Sequence, residues 1–165
     1  MPIPAYCPAC GGRVGRVAPG VGRCSGCRRE VYAHSRPAAG VFITRGEQVL
    51  LVRRGAEPGR GRWDIPGGFL FEGELPEVGA RREIMEELGV RLGPLRLVLT
   101  GVNPVSEGAV LDILFEGGIS RGVPRPGSDV ADCAWFGLDD LPEDLAFDTT
   151  RRSLEAWLEA RRARG

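Results

Sequence analysis

The chain has no lysine: all 22 of its basic side chains are arginine. This bias reads as a trait of a GC-rich genome and carries no functional weight. Net charge is also missing, because 22 acidic side chains balance the arginines. The overall charge therefore gives no reason to expect nucleic acid or an anionic membrane as a partner. No apolar run approaches the ~20 residues that cross a bilayer, and no membrane partner is expected. The opening MPIPAYCPAC lacks the charged and apolar regions of a secretory signal, so a cytoplasmic location is the expectation. Internal repeats and low-complexity stretches are absent, and His34 is the only histidine.

What remains is the composition of a soluble globular protein, 42% hydrophobic and 27% charged. At 165 residues the chain has room for one ordinary domain, or a small domain with an appendage. Residues 1–36 are rich in Gly, Pro and Cys and too poor in large apolar residues for a core of their own. Beyond them, AAGVFIT (38–44) and QVLLVRR (48–54) are β-branched runs separated by Arg45-Gly46-Glu47, the pattern of a hairpin. A Gly-rich stretch (55–68) precedes a helical pattern over 76–88, with Pro76 suited to its first turn and Gly89 to its stop. Residues 95–102, 109–115 and 130–136 read as strands. Thr149 or Thr150 is placed to cap a last helix with Leu154, Trp157 and Leu158 on one face. Helices packed on a mixed sheet follow, an α/β architecture.

Cys7-Pro8-Ala9-Cys10 and Cys24-Ser25-Gly26-Cys27 form two C-x2-C pairs. Zinc favours four tetrahedral thiolates, and each C-x2-C turn puts two sulfurs on one side of an ion. Two disulfides or a redox pair are the alternatives. Neither suits a cytoplasmic chain without a βαβ pattern around the motif. A structural Zn2+ held by Cys7, Cys10, Cys24 and Cys27 is expected, supplying folding energy that so small a module lacks. Four sulfurs leave no open position for catalysis. Cys133 reads as a buried strand thiol and His34 as a loop residue between modules.

The stretch GFLFEGELPEVGARREIMEELGV spans 68–90. On a helix, Glu83, Glu86 and Glu87 share an arc of roughly 100°, with Gly79 in the same sector leaving it open. Val78, Ile84, Met85 and Leu88 fall opposite, the side expected to pack on the sheet, although Glu77 and Arg81 also project that way. Like charges at these spacings repel by some tenths of a kcal/mol. Either Arg81 and Arg82 relieve a solvated acidic face, or the carboxylates hold Mg2+ or Mn2+, whose remaining ligands come from water and substrate phosphates.

The flanking residues decide between these. Gly68, Glu74, Arg82, Glu83, Ile84, Glu86, Glu87, Gly89 and Val90 match every defined position of G-x5-E-x7-R-E-U-x-E-E-x-G-U, where U is bulky and apolar. The stretch resembles the Nudix box. Trp63-Asp64-Ile65-Pro66-Gly67 ahead of it, and Ala134-Trp135-Phe136 and Leu141-Pro142 behind it, extend the likeness over most of 37–158. The resemblance implies a Nudix α/β/α sandwich with a mixed sheet at 37–165, preceded by a zinc ribbon at 1–36. By the same resemblance, Glu83, Glu86 and Glu87 with the Gly67 carbonyl would bind Mg2+ or Mn2+. Arg82 and Glu74 would hold the helix and its carboxylates in place. The general base would be a box glutamate or an acid on a later loop, here Asp129. Phe71 departs from relatives that often carry an acid there, with Glu72 one position on.

A zinc ribbon ahead of a Nudix domain is similar to NADH pyrophosphatases, but their S-Q-P-W-P-F-P-x-S motif is replaced here by LTGVNPVS (99–106). The shorter ribbon-plus-Nudix proteins that cleave ADP-ribose or FAD match better in length and in Leu145-Ala146-Phe147. Cleavage of a pyrophosphate bond in a small nucleotide-derived substrate is therefore expected, with ADP-ribose or FAD ahead of NADH or damaged nucleoside triphosphates. A non-enzymatic nucleotide sensor or nucleic-acid-binding module is the reading of another class, and the complete box argues against it. The ribbon arginines Arg13, Arg16, Arg23, Arg28 and Arg29, with only Tyr6 and Tyr32 as aromatics, read mostly as solvated surface, with phosphate contact as the lesser alternative. Similar proteins commonly dimerise, so a homodimer stays open.

Overall fold

The computed structural model describes residues 3–106, 108–127 and 129–163. Among them lie twelve strands and two helices, and none of these helices is long and apolar enough to cross a membrane. The chain divides into two compact units, one of Met1–Pro37 with Val102–Leu111, the other of Ala38–Gly101 with Asp112–Gly165.

In the first unit, β1 (Val14–Ala18), β2 (Val21–Cys24) and β3 (Glu30–Tyr32) form an antiparallel sheet. Its strands are short and mostly exposed. Its buried side chains include Cys7 and Cys24, at 3% and 1% exposure. The centre of this module is thus sulfur where a larger domain would have hydrocarbon.

The expected hairpin forms in β4 (Arg36–Arg45) and β5 (Gln48–Arg54), closing with Arg45 opposite Gln48. The next elements are β6 (Trp63–Asp64), β7 (Gly67–Phe69), α1 (Pro76–Leu88), β8 (Arg91–Leu92) and β9 (Arg96–Val105). After them come β10 (Gly108–Gly117), β11 (Ile119–Arg121), β12 (Val130–Gly137) and α2 (Asp148–Arg162). The large sheet runs β12-β5-β4-β10-β9, with β6 added to β5 and β7 to β4; β8 and β11 form a separate pair.

Strand alternation places the helices. Val41, Ile43, Leu50 and Val52 share one cluster with Ala80, Ile84 and Leu88 of α1. Phe42, Val49 and Leu51 share the other with Leu154 and Trp157 of α2, and Phe42 stacks on Trp157 at 4.5 Å. Both central strands are therefore buried on both faces, the α/β/α sandwich expected from the sequence.

Several expected contacts differ. Val78 and Met85 do not pack on the sheet; they are 54% and 41% exposed. The buried arc of α1 is centred between Glu87 and Ala80, which turns Val78 and Met85 to the outside. Gly79 does not leave the carboxylate sector open: it is buried, and a Cβ there would meet Leu70 at 2.2 Å and Glu74 at 2.9 Å. The loop preceding α1 folds back onto that bare backbone. Neither Thr149 nor Thr150 caps α2, whose N-cap is Phe147 without a side-chain bond. The Thr150 hydroxyl instead donates to Asp64 Oδ1 at 2.7 Å.

Candidate active site and metal centre

The carboxylates of α1 form a series graded by depth. Glu87 is buried at 8% exposure, the Glu83 side chain is 16% exposed and that of Glu86 52%. Successive 100° steps around the helix produce this ordering, since Glu87 sits nearest the core-facing line of Ala80 and Ile84. The Gly67 N–H donates to Glu87 Oε2 at 2.9 Å. Burial pushes the Glu87 carboxyl up to about 8. The charges of Asp129, Glu83 and Asp64 act in the same direction, against the Gly67 N–H. A buried carboxylate crowded by other acids calls for a cation.

Arg82 organises the remainder. Its Nε and Nη2 grip both Glu74 oxygens at 2.8 and 2.9 Å, Nη1 reaches Glu83 at 2.7 Å and Glu86 at 3.4 Å, and Nη2 also donates to the Phe69 carbonyl at 3.1 Å. The guanidinium lies 4.0 Å from the centre of the Phe71 ring, so Phe71 packs over it. Together with the Phe71 N–H at 3.0 Å, Arg82 holds the Glu74 carboxyl down at about 2. With Glu74 spanning it in two hydrogen bonds, Arg82 is a fixed strut between the loop and α1. Gly68 completes the arrangement, because a Cβ there would sit 2.4 Å from the Glu83 carboxylate.

The third wall of the site is the loop before β12. The N–H groups of Arg125 and Gly127 donate to the Leu88 and Glu87 carbonyls at 3.1 and 2.8 Å, closing the C-terminal turn of α1. This brings Asp129 beside Glu87. Gly55 N–H donates to the Asp129 carbonyl at 2.7 Å, tying the same loop to the end of β5. Arg54, Asp64, Gly67, Glu87 and Asp129 line a cleft of about 20 Å3, which suits a cation or a water and cannot hold a nucleotide.

Asp64 and Arg54 were not singled out from the sequence. Arg54 Nη1 pairs with Asp64 Oδ2 at 3.1 Å, and Asp64 Oδ1 accepts from Thr150 and from the Ile65 N–H. Burial raises the Asp64 carboxyl against these donors. The available signal was a carboxylate inside the otherwise apolar Trp63-Asp64-Ile65-Pro66 run. Its partner Thr150 lies 86 positions away, beyond any local pattern.

A larger groove of about 510 Å3 lies at the other end of β5, lined by Glu47, Arg96, Glu116, Asp139, Arg161 and Arg162. Its charges satisfy one another: Arg96 and Arg161 both pair with Glu116, and Arg162 with Asp139. It has none of the box residues.

The four cysteines converge. Cys7 and Cys27 sulfurs lie 3.7 Å apart, those of Cys10 and Cys24 3.5 Å, and all four fall within 4.8 Å of one another. Four sulfurs at 2.3 Å from a tetrahedral zinc would be spaced by about 3.8 Å. The backbone repeats itself at the two turns. The Gly11 N–H donates to the Cys7 carbonyl at 2.9 Å and the Arg28 N–H to the Cys24 carbonyl at 3.1 Å. Gly11 and Arg28 both adopt left-handed φ, 71° and 64°. N–H groups aimed at sulfur, from Ala9 at Cys7 and from Cys27 at Cys24, lower both thiols, Cys24 to about 6. This cluster is compatible with a zinc ribbon. His34 lies in the loop after β3 against the Tyr32 ring at 6.1 Å, outside the cluster. Cys133, in β12, is half-buried and its thiol is raised by burial and by Asp132.

The NUDIX domain family matches residues 34–158. The chain belongs to the Nudix hydrolase family. An ADP-ribose pyrophosphatase of Methanocaldococcus jannaschii is 32% identical over 72% of this chain and 70% of its own length. An NAD-capped RNA hydrolase NudC of Deinococcus radiodurans is 30% identical over 97% of this chain, which spans 59% of that protein's length. The crystal structure of a NUDIX hydrolase from Nitrosomonas europaea superposes with a TM-score of 0.75 at 27% identity, covering 96% of this chain and 92% of the other. The Nudix box residues are thus the ones gathered around Glu87 and Arg82, and the sandwich carries them on α1 and its flanking loops.

Proposed function

We propose that this Nudix hydrolase cleaves the pyrophosphate bond of a nucleoside diphosphate derivative, with ADP-ribose or FAD as the leading substrates. The observation that carries the reading is Glu87: a buried carboxylate, anchored by the Gly67 N–H and crowded by Glu83, Asp64 and Asp129. The donor set is all oxygen and in excess of positive charge. Arg82 is shared among Glu74, Glu83 and Glu86, and Arg54 pairs with Asp64; two guanidinium cations against this many carboxylates leave a set that fits Mg2+ or Mn2+. Glu83, Glu86 and Glu87, with the Gly67 carbonyl, would hold the cations. When bound, these would draw charge from the bridging phosphates and acidify a water for attack.

The residues of the chain supply the rest. Glu87 marks the deep end of the site and Glu86 the solvent end, which orients an extended diphosphate outward from the small cleft. Glu83, Glu86 or Asp129 takes the proton from the attacking water, a step worth about 10²–10⁴ in rate. Arg82 holds Glu83 and Glu86 by hydrogen bonds and is itself fixed by Glu74. At the N-terminal cysteines, Zn2+ would be structural.

The test is Glu83→Gln and Glu87→Gln assayed with Mg2+ and Mn2+ on ADP-ribose, FAD, NADH and oxidised dGTP, with products identified. Each variant should lose hydrolysis of the best substrate by about 10²-fold or more while remaining folded by circular dichroism. Near-wild-type turnover by either would remove it from the metal site. Release of AMP from ADP-ribose or FAD separates this reading from triphosphate clean-up, and no turnover on any substrate would favour a sensor.

A second reading concerns NAD joined to RNA. The Deinococcus relative named as an NAD-capped RNA hydrolase aligns along 97% of this chain, ribbon included, whereas the Methanocaldococcus pyrophosphatase aligns along 72%. Adding an NAD-capped RNA to the substrate panel tests it directly.

A further inference from the structure

The neutral net charge of the chain conceals a division. The unit of Met1–Pro37 and Val102–Leu111 contains six of the 22 arginines and only two acidic residues, Glu30 and Glu107; the remaining unit has sixteen arginines and twenty acids. Within the first unit, Arg23 is taken by Glu30 at 2.8 Å. Arg13, Arg16, Arg28 and Arg29 are exposed, and their guanidiniums form no ion pair among the described residues.

Three of these four cluster at the cysteine turns. The Arg13 carbonyl accepts from both the N–H and the hydroxyl of Ser25, at 2.9 and 3.2 Å. The Arg29 carbonyl accepts from the Cys24 N–H at 2.9 Å, and the Arg28 N–H donates to the Cys24 carbonyl. Tyr6, 59% exposed, pairs with Arg13 across a single backbone bridge. An arginine surface that serves solubility alone is normally interspersed with carboxylates; among the described residues these four arginines have no carboxylate partner, the one ion pair of the module being Arg23–Glu30. A zinc tetrathiolate, with a charge of −2, would offset only two of the four.

We infer that this end of the ribbon docks the phosphate backbone of single-stranded RNA. Guanidiniums at Arg13, Arg28 and Arg29 engage phosphates at the cysteine turns, Arg16 adds a charge farther along β1 opposite Gly22, and Tyr6 offers its ring to a base. An acidic peptide would satisfy the charges but leave the tyrosine without a partner. The choice of RNA among polyanions rests on the second reading above; the docking surface itself rests on the charge division.

The experiment measures binding of a fluorescein-labelled, uncapped 12-nucleotide RNA to the full-length, zinc-loaded chain by anisotropy across a salt series. Replacing all four arginines by glutamine should weaken binding at least tenfold. It should also flatten the log–log salt slope by about 0.7 for each phosphate no longer engaged, while zinc content and hydrolysis of free ADP-ribose stay at wild-type levels. Tyr6→Ala should cost about fivefold or more. If the fourfold variant does not fold, Arg28→Gln with Arg29→Gln is read the same way, with at least a threefold loss expected. Undetectable RNA binding by the wild type, equal binding by the arginine variant, or displacement of RNA by equimolar poly-glutamate would overturn the inference. Hydrolysis of NAD-capped RNA is scored separately. Its absence with RNA binding intact counts against the second reading alone, and its presence with no arginine-dependent binding counts against the docking surface alone.

Discussion

The two clusters that could hold metal are positioned by different means. At the cysteines, short side chains leave the backbone to set the geometry, and two matching turns bring four sulfurs within 4.8 Å. At α1, long side chains are placed by burial and by one arginine: Glu87 lies deep against the Gly67 N–H, while Glu83 and Glu86 are drawn to Arg82. Among the described residues, only the cysteines bring three or more ligand atoms so close. A thiolate set built this way is a fixed cage. A carboxylate set held by arginine hydrogen bonds can exchange those bonds for cation and phosphate contacts, as a site that must bind and release substrate requires.

The largest effect should come from breaking the fixed cage. Cys24→Ser replaces the most buried of the four sulfurs. Structural zinc contributes on the order of 10 kcal/mol to folding small modules, and a three-ligand remnant holds it far less tightly. Zinc content by atomic absorption should fall from one per chain to well below one half, with residues 1–37 losing amide protection in hydrogen exchange. Retention of full zinc content would show that Cys24 is not a ligand.

A smaller effect should follow from the carboxylate side. Gly68→Ala places a methyl 2.4 Å from the Glu83 carboxylate, so the carboxylate must turn away from its place over the loop. Displacing a catalytic group by about 1 Å costs about 10²-fold. The kcat for the best substrate should drop by about that factor, with the melting temperature little changed because Glu83 is a flexible neighbour. A variant with unaltered kcat would mean that the position of Glu83 over Gly68 is incidental to the chemistry.

What was legible in the sequence follows the same contrast. The cysteine spacing, the box, α1 with its Pro76 start and Gly89 stop, and the β4–β5 hairpin are local patterns, and local geometry realises them. The helix phase was not local. Val78 and Met85 are as apolar as Ile84, and only the packed sheet selects Ala80, Ile84 and Leu88 as the inward line. Asp64 meets Arg54 across the β5–β6 pair and Thr150 from 86 positions away, so no local spacing rule reveals the three together. The ribbon strands were not legible either, since Gly- and Arg-rich stretches of three to five residues carry no alternation. The charge division, by contrast, was present in the sequence: residues 1–37 hold six arginines and one acid, Glu30, and Val102–Leu111 adds only Glu107.

The smallest expected effect tests whether the two cysteine turns are equivalent. Gly11 and Arg28 occupy matching positions, four residues after Cys7 and Cys24, and both have left-handed φ. Glycine adopts that conformation freely, while a residue with a Cβ is destabilised there by roughly 1 kcal/mol. Arg28→Gly removes that strain but also enlarges the conformational freedom of the unfolded chain, which returns part of the gain. A net stabilisation of the zinc-loaded ribbon by about 0.5 kcal/mol is expected, read as slower zinc loss to a chelator at fixed temperature. Gly11→Arg, the reverse exchange at the other turn, should speed zinc loss by a similar factor. Equal and opposite shifts would establish the turns as two copies of one device. Faster zinc loss from Arg28→Gly would instead show that the arginine side chain stabilises the tetrathiolate by its charge, and that this outweighs the backbone strain.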